Sequence, residues 1–549
     1  MKKVIAMLLC LILCISVVPV GALAASRDTT YEETLASDLK TLGLFQGVSD
    51  TDFALGRAPT RTEALIMLIR VLGKESEALN GSWNHPFTDV AGWADRYVGY
   101  AYETGLTKGV SDTQFGTGTA NAAMYLTFVL RALGYSDQTG GDFTWDNPFS
   151  LAKQVGILPD CVQTISFLRA DVVLVSYAAL PVRLKNSPQT LAQKLMDDGV
   201  FTQAAFDACY DRSALDTYPS GGGSTFSVHF IDVGQADSAL VECDGRYMLI
   251  DGGNKADSSR IYSVLQSTGV EKLDIVVGTH AHEDHIGGLP GAFSYTTADM
   301  TLCPVTDYNS DAFADFARYA QEKGGGITVP SVGDTYSLGS AEVTILGVNG
   351  GSDTNDTSIV LKVQYGETSF LFTGDAEREA EQAMLNAGAD LSATVLKVGH
   401  HGSDTSTTYP FLREVMPEYA VISVGANNSY GHPTAGALSR LRDAGATIFR
   451  TDLQGDIFAV SDGKTVTFTT SKQASQEEIL QGAGSTSSSD PGQQNPISAT
   501  YVLNTNTMKF HYADCSSAQK ISDKNKGYYT GSRTELIQMG YSPCGICKP

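Results

Sequence analysis

The sequence predicts a layered α/β domain in the middle of the chain, with an all-α repeat region before it and a small metal-binding tail after it. Short apolar runs alternate with helical patterns from residue 226 onward, a helical segment recurs before residue 212, and histidine and cysteine cluster near the end. Because 549 residues exceed what one hydrophobic core usually organises, several domains are expected. The expected units are a signal peptide over residues 1–25, three degenerate repeats over 26–212, a linker over 213–225, the α/β domain over 226–471, a disordered linker over 472–500 and the tail over 501–549.

The N-terminal segment is typical of a secretory signal peptide. Lys2 and Lys3 precede an apolar run over residues 4–20, and small residues follow at the expected cleavage site. An uncleaved membrane anchor is the alternative, since the apolar run is nearly long enough to span a bilayer. No later run reaches the roughly 18 apolar residues that a spanning helix needs, so no transmembrane channel is expected. We therefore expect a secreted protein.

The composition indicates a folded globular protein, because 42% of the residues are hydrophobic and 18% are charged. The formal net charge is −23, from 38 Lys and Arg residues against 61 Asp and Glu residues. Non-specific binding of nucleic acid is driven by Lys and Arg, so this charge opposes a broad grip on nucleic acid. Any phosphate ligand is therefore expected to be held locally.

An internal repeat occupies the N-terminal third of the chain. Residues 44–51 (LFQGVSDT) and 106–113 (LTKGVSDT) each lead to a phenylalanine and then to an apolar helical pattern, and a third, weaker copy begins near Val155. These segments resemble S-layer homology repeats, helical modules that anchor exported bacterial proteins to cell-wall polysaccharide. The resemblance implies association with the wall of a Gram-positive-type bacterium. A helical packing domain without a ligand is the alternative interpretation.

The densest group of metal-competent side chains is the run HAHEDH at residues 280–285. His280 and His282 can close on one ion, because two imidazoles one residue apart converge when the backbone turns sharply between them. Asp284 and His285 follow the turn, where they can hold a second ion. An apolar strand over residues 273–277 delivers the loop, and α/β sites commonly form at the carboxyl ends of strands.

Residues 226–470 resemble the metallo-β-lactamase superfamily and, within it, the nuclease-like domain of the ComEC/Rec2 competence proteins. The matching runs are FIDVGQADS at 230–238, LIDGG at 249–253, HAHEDH at 280–285, NDTSIVL at 355–361, TGD at 373–375, LKVGHHGS at 396–403 and GHP at 431–433. This resemblance implies an αββα sandwich that holds two divalent ions, Zn²⁺ or Mn²⁺, at one edge of its two sheets.

The same resemblance implies which side chains ligate the ions. The expected ligands are His280 and His282 for the first ion, Asp284, His285 and His400 for the second, and Asp375 as a bridge between them. A further set is expected either to ligate or to orient the ligands, and it comprises His401, Asn355, Asp356, Asp232 and Asp251. Asp356 is a weaker candidate for the first ion, at which other members of the family carry a third histidine.

The expected reaction is attack on phosphorus or on a carbonyl carbon by a hydroxide that two cations share. Asp284 and Asp375 would orient this nucleophile. Phosphate oxygens would accept hydrogen bonds from the turn that contains Gly402, Ser403 and Ser406. His432 is expected to be the general acid for the leaving oxygen, with a loop that only shapes the pocket as the alternative.

The tail carries His511, Cys515, Cys544 and Cys547 at spacings that can close a tetrahedral zinc shell. It resembles the small zinc-binding module of the Ada type, which implies one structural Zn²⁺. A disulfide between Cys544 and Cys547 is the alternative in an oxidising exterior.

These features together predict a secreted, wall-associated phosphodiesterase that acts on DNA. Hydrolysis of another ester or amide, such as a phosphorylated wall polymer or a β-lactam, is the alternative among enzymes. A wall-binding protein with a degenerate metal domain is the alternative from another class, and the complete set of motifs argues against it.

Overall fold

The computed structural model describes residues 29–482 apart from 146, 212 and 216–225, and residues 499–544 apart from 513–514, 532–535 and 537–540. The signal peptide predicted over residues 1–25 and the expected zinc ligand Cys547 lie outside the described residues. Among the residues that are described, no helix has both the length and the apolar character that crossing a membrane requires.

An all-α region comes first, as predicted. Its described helices are α1 Thr30–Thr41, α2 Arg61–Val71, α3 Glu75–Asn80, α4 Asp95–Glu103, α5 Ala122–Ala132, α6 Phe149–Val155, α7 Arg169–Ala179, α8 Leu191–Asp197 and α9 Gln203–Cys209. These helices enclose one apolar core, in which Leu65, Phe115 and Leu174 are fully buried.

The sequence repeat is also a structural repeat. Ser49 Oγ accepts hydrogen bonds from the amides two and three residues further on, and Ser111 Oγ does the same in the second copy. The first and third copies share a buried arginine: the guanidinium of Arg61 lies 5.1 Å from the ring centre of Phe115, and that of Arg169 lies 5.9 Å from the ring centre of Phe45. These arginines stabilise the core by cation–π packing.

Residues 226–482, all of which are described, form two sheets and the helices that cover them. The strands are β1 Phe226–Phe230, β2 Ala239–Cys243, β3 Arg246–Ile250, β4 Leu273–Val277, β5 Ala298–Leu302, β6 Ile327–Thr328, β7 Thr335–Leu338, β8 Ala341–Gly347, β9 Val360–Tyr365, β10 Thr368–Phe372, β11 Val395–Lys397, β12 Tyr419–Ile422, β13 Thr447–Arg450, β14 Ile457–Ser461 and β15 Val466–Thr470. The helices are α10 Ser258–Thr268, α11 Glu283–Ile286, α12 Leu289–Tyr295, α13 Asp311–Lys323, α14 Arg378–Ala387, α15 Tyr409–Val415, α16 Ala435–Asp443, α17 Thr451–Gln454 and α18 Gln476–Ile479.

The predicted αββα sandwich is confirmed. One sheet has the strand order β15-β14-β1-β2-β3-β4-β5-β6 and the other has the order β13-β12-β11-β10-β9-β8-β7. Phe230 of the first sheet and Phe372 of the second meet in the apolar core between them. Separate apolar cores, containing Phe293 on one side and Leu438 on the other, join each sheet to its own helices.

Parallel pairing brings the strand ends that carry the candidate site to one edge. Strand β4 pairs in parallel with β3 and with β5. In the other sheet each of β10, β11 and β12 pairs in parallel with the strand that follows it. Because parallel strands end at the same edge of a sheet, the loops that follow β4, β10, β11 and β12 lie close together.

Two predicted linkers are shorter than the composition indicated. Ala214 is buried and its carbonyl accepts a hydrogen bond from Tyr31 in α1, so the helical region extends beyond residue 212. Helix α18 begins with a capping box at Ser475, and Ile479 is buried against the second sheet's helices. Residues 472–482 therefore belong to the α/β domain, because one apolar residue and one helix cap outweigh a polar composition.

The tail forms a small sheet of its own. Its described elements are β16 Ala499–Asn504, β17 Lys509–Tyr512, α19 Ser516–Gln519, β18 Lys526–Gly531 and β19 Ser542–Pro543, with the strand order β18-β16-β17-β19. Tyr512 of β17 stacks on Tyr409 of α15 with 5.2 Å between the ring centres. The tail therefore contacts the α/β domain.

Candidate metal centre

The loop after β4 brings three histidines together, as the HAHEDH motif predicted. The distance from His280 Nε2 to His282 Nδ1 is 3.0 Å, and the His280 and His285 ring centres are 4.1 Å apart. His280 and His285 are completely buried. The loop turns directly into α11, so Asp284 and His285 lie in its first turn.

A second group of ligand atoms forms where three strand-end loops meet. One ligand atom from each of Asp284, His285, Asp375 and His401 lies within 4.8 Å of the others. His285 Nε2 is 3.3 Å from Asp375 Oδ1, and His401 Nε2 is 3.3 Å from Asp284 Oδ2. Asp375 follows β10 and His401 follows β11, so residues more than 100 positions apart in sequence converge on one point.

The structure places His401, rather than the expected His400, in this group. Both residues have left-handed backbone angles, with φ of 49° and 54°, and their rings diverge. His400 Nε2 is 3.7 Å from Asp375 Oδ2, while its Nδ1 is 3.0 Å from Glu377 Oε1. His400 therefore lies at the rim of the group, and sequence order alone could not separate two adjacent histidines in a tight turn.

Buried carboxylates behind the group fix the tautomers of two imidazoles. His285 Nδ1 is 2.8 Å from Asp251 Oδ2, and His401 Nδ1 is 3.0 Å from the Ser423 carbonyl oxygen and 3.2 Å from Asp237 Oδ1. Because Asp251 Oδ2 and the Ser423 carbonyl oxygen accept hydrogen bonds, each Nδ1 carries a proton and each Nε2 faces the group of ligand atoms. Asp251 thus contacts His285 in the way that the expected orienting role requires, and the role itself stays a prediction.

The partner of Asp237 was not predicted from the sequence. Lys397 donates a hydrogen bond of 2.7 Å to Asp237 Oδ2, and both side chains are buried. Asp237 is a strand-end carboxylate in the run that also contains Asp232, so the pattern that suggested Asp232 and Asp251 could have suggested it as well. Asp232 itself contacts Gly234 and Asp456, away from the imidazoles.

The residues in the region of the missing third histidine have other roles. One oxygen of Asp356 accepts hydrogen bonds from the amides of Glu377 and Ala380, which caps the start of α14. Asn355 donates to Glu377, the residue that contacts His400. Asp356 is therefore not placed as a ligand of the first ion, because the helix start uses its carboxylate.

Comparison with known proteins agrees with this geometry, since residues 231–426 match the family model described as the metallo-beta-lactamase superfamily. This segment is similar to that superfamily and has its fold. The chain is 31% identical over 289 residues to "ComE operon protein 3" of Bacillus subtilis (strain 168), which covers 49% of this chain and 36% of that protein. It is 34% identical over 226 residues to "Competence protein ComA" of Neisseria gonorrhoeae, which covers 41% of this chain and 30% of that protein.

The chain is also 32% identical over 156 residues to the "Surface layer protein" of Brevibacillus choshinensis. This similarity covers 27% of this chain and 14% of that protein. The chain spans about a third of the length of the two competence relatives. The similarity to them therefore concerns a part of each protein.

Electrostatics in the metallo-β-lactamase domain favour a bound cation. Burial lowers the pKa of His401, but the charges of Asp375 and Asp237 outweigh burial and raise it to about 10. The pKa of His285 is likewise raised well above its usual value, because Asp375 and Asp251 outweigh its burial. Protons on these imidazoles thus balance the buried carboxylates, and a metal ion can replace them as the compensating charge.

Buried atoms without hydrogen-bond partners show that the residues fit a metal ion. His285 Nε2 and Asp375 Oδ1 are both completely enclosed and make no hydrogen bond. Buried polar atoms are normally satisfied, so an unsatisfied nitrogen and an unsatisfied oxygen 3.3 Å apart fit a pair of ligand atoms for a cation. Imidazole and carboxylate suit Zn²⁺ and Mn²⁺.

The three residues expected to bind substrate, Gly402, Ser403 and Ser406, are all buried. Ser406 is completely buried, so its hydroxyl does not face a substrate. Arg440 holds the turn from behind by donating to the carbonyl oxygens of Ser403 and Ser406. Ser403 Oγ lies 2.9 Å from Thr405 Oγ1, and Gly402 has a φ of +81° that permits the tight turn.

His432 lies next to the group on the loop after β12. Its ring centre is 5.6 Å from that of His400, and its Nδ1 is buried without a partner. Burial and the neighbouring histidines lower its pKa to about 4, so the ring is neutral at neutral pH. A neutral imidazole is a weak proton donor, which favours a pocket-shaping or substrate-binding role over the general acid.

The tail brings three of its expected ligands together. His511, Cys515 and Cys544 place one ligand atom each within 4.8 Å of one another, and all three residues are buried. His511 Nδ1 is 3.6 Å from Cys515 Sγ.

Proposed function

We propose that this chain is a metal-dependent phosphodiesterase that cleaves nucleic acid, with its reaction centre at the edge of the metallo-β-lactamase domain. The observation that carries the proposal is the convergence of Asp284, His285, Asp375 and His401 beside the His280–His282 pair. A pair of imidazoles next to a set of imidazoles and carboxylates would suit two divalent ions.

The residues divide between two ions. His280 and His282 would hold the first, Asp284, His285 and His401 the second, and Asp375 would be shared, with His400 at the rim. When bound, such ions supply a hydroxide nucleophile at neutral pH and positive charge for the oxygens of the transition state. Asp251 and Asp237 would keep the Nε2 atoms of His285 and His401 directed at the ions. The neutral ring of His432 can donate a hydrogen bond to a substrate oxygen or accept one from a substrate hydroxyl.

A nucleic-acid substrate is supported by the competence proteins among the relatives. The fold alone does not select it, because this superfamily hosts many reactions. Another ester or amide, such as a phosphorylated wall polymer or a β-lactam, is the second candidate within enzymes. A degenerate, non-catalytic metal domain is disfavoured by the intact pairs Asp251–His285 and Asp237–His401.

Attachment to the cell wall is a separate part of the proposal. The repeated Ser49 and Ser111 turns and the surface-layer relative support a wall-binding region in an exported protein. A pull-down of the full chain on purified wall polysaccharide tests this. Retention is expected, and a chain that stays in the supernatant contradicts it.

A structural zinc ion in the tail is also proposed, held by His511, Cys515, Cys544 and Cys547. It is supported by the three buried ligand atoms that the structure brings together. Metal analysis of the purified chain is expected to find one Zn²⁺ that is lost in Cys515→Ser and retained in Cys161→Ser, a matched cysteine of the helical region.

The reaction is tested with plasmid DNA, single-stranded DNA and bis-p-nitrophenyl phosphate, with added Mn²⁺ or Zn²⁺. We expect turnover by the purified chain, loss of turnover in His282→Ala, and retention of turnover in His85→Ala, a histidine of the helical region. If none of the three phosphodiesters is cleaved, or if His282→Ala cleaves them as fast as the parent, the phosphodiesterase proposal is wrong.

A further inference from the structure

An exposed tyrosine stands at the mouth of the candidate metal centre. Tyr430 lies in the loop after β12, and 71% of its surface is exposed. The loop is braced rather than loose, because Asn428 Oδ1 accepts hydrogen bonds from the amides of Tyr430 and His432 at 3.1 and 3.0 Å. Asn428 Nδ2 also donates to the Gly425 carbonyl oxygen.

A series of rings connects Tyr430 with the metal-binding carboxylate. The Tyr430 ring stacks beside His432 with 5.8 Å between ring centres and an angle of 25°. His432 contacts His400 edge-on, and His400 Nε2 lies 3.7 Å from Asp375 Oδ2. A group stacked on Tyr430 is therefore two rings away from the atoms that would bind the ions.

The charge of the protein limits how a nucleic acid can be held here. The chain has 23 more acidic than basic residues. Two cationic side chains that contact residues of the site, Lys397 and Arg440, already have partners. Lys397 pairs with Asp237, and Arg440 is committed to loop carbonyls and Asp404. Contacts of Lys397 and Arg440 with phosphate therefore contribute little, whereas stacking of a base on an aromatic ring does not depend on charge.

We propose that Tyr430 is the platform on which an unpaired nucleobase stacks beside the scissile phosphodiester, so that the preferred substrate is single-stranded nucleic acid. A base inside a duplex is paired and stacked on its neighbours, and its faces are closed to the tyrosine. An unpaired base offers a free face at no cost of unpairing. This inference rests on the phosphodiesterase function proposed above.

The test compares a single-stranded oligothymidylate with a strand of the same length in which every base is absent. For the full chain with Mn²⁺, kcat/KM is expected to be about tenfold or more higher for the strand that carries bases, mainly through a lower KM. Tyr430→Ala is expected to bring the ratio of the two kcat/KM values close to one, and Tyr430→Phe to preserve it. Tyr528→Ala, which alters an equally exposed tyrosine of the tail, is the matched control and leaves the ratio unchanged.

A second measurement reads stacking without turnover. A single strand that contains 2-aminopurine is expected to lose fluorescence when it binds the His282→Ala chain. The loss should disappear in the double variant that carries both His282→Ala and Tyr430→Ala. An unchanged ratio in Tyr430→Ala, or an equal fall on both strands, shows a contact other than base stacking and overturns the inference alone. If the parent cleaves neither strand, the phosphodiesterase function fails and the role of Tyr430 fails with it.

Discussion

The two candidate metal sites of this chain are supported by very different amounts of protein. The central group takes its ligands from three strand ends, and Asp251 and Asp237 hold His285 and His401 from behind. The tail group draws His511, Cys515 and Cys544 from one small sheet and the start of α19. The described part of the tail has two small apolar cores, one with Val502 and Ile521 and one with Phe510 and Leu536. We infer that the central site is organised by its fold, whereas the tail depends on its metal for folding.

The largest expected effect is the loss of the tail's fold on removal of zinc. Structural zinc contributes about 10–16 kcal/mol in small modules, more than the tail's apolar core can replace. In limited proteolysis of the full chain, a chelator or Cys544→Ser should expose the tail to cleavage while residues 226–482 stay resistant. If the tail resists the protease equally with and without chelator, the inference that the tail needs a metal to fold is wrong.

The next effect concerns Asp375, the carboxylate that both ions are proposed to share. Asp375→Ala should lower turnover of bis-p-nitrophenyl phosphate by about 10³-fold or more, since both ions lose a ligand. Metal analysis should find fewer ions bound, and circular dichroism should show an intact fold. Asp232→Ala, at a strand end away from the imidazoles, is the control and should change turnover less than twofold.

A buried acid links the stability of the central domain to pH. Glu381 accepts hydrogen bonds from the Thr407 and Thr408 amides, and burial raises its pKa from 4.5 to about 7. Folding therefore favours the protonated form, so the contribution to stability is present below pH about 4.5 and is lost as pH rises to about 7. The loss is expected to be about 3 kcal/mol at most.

Urea unfolding measured at pH 5 and pH 7.5 checks this dependence. The free energy of unfolding of the parent should fall between the two values, and Glu381→Gln, which does not ionise, should show a smaller fall. A parent whose stability rises over the same interval contradicts the sign.

The smallest effect is expected behind the central ligands. Asp251→Asn keeps the size of the side chain but weakens the hydrogen bond that orients His285, and should reduce metal affinity or turnover about 10- to 100-fold. Titration with Zn²⁺ in competition with a chelating dye measures the change. If Asp251→Asn binds metal as tightly as the parent, the inference that Asp251 organises the central site through His285 is wrong.

The sequence by itself determined the layout of the molecule. Short apolar runs located strands such as Leu273–Val277, and apolar residues at helical spacing located helices such as Arg378–Ala387. Both patterns are local properties of the sequence. The motif at residues 280–285 located the loop of the site, because its metal-competent residues are close together in the sequence. The assignment of Asp375 to the site depended on the resemblance to known proteins.

Only the tertiary structure decided which neighbours of these motifs reach the site. It brought His401 into the group beside the expected His400, buried Ser406, gave Asp356 to a helix start and joined Lys397 to Asp237 across 160 positions of sequence. Each of these outcomes depends on the direction of a side chain in a loop and on strands paired over long sequence distances. Neither property leaves a periodic trace in the sequence, so the packing of the two sheets had to supply them.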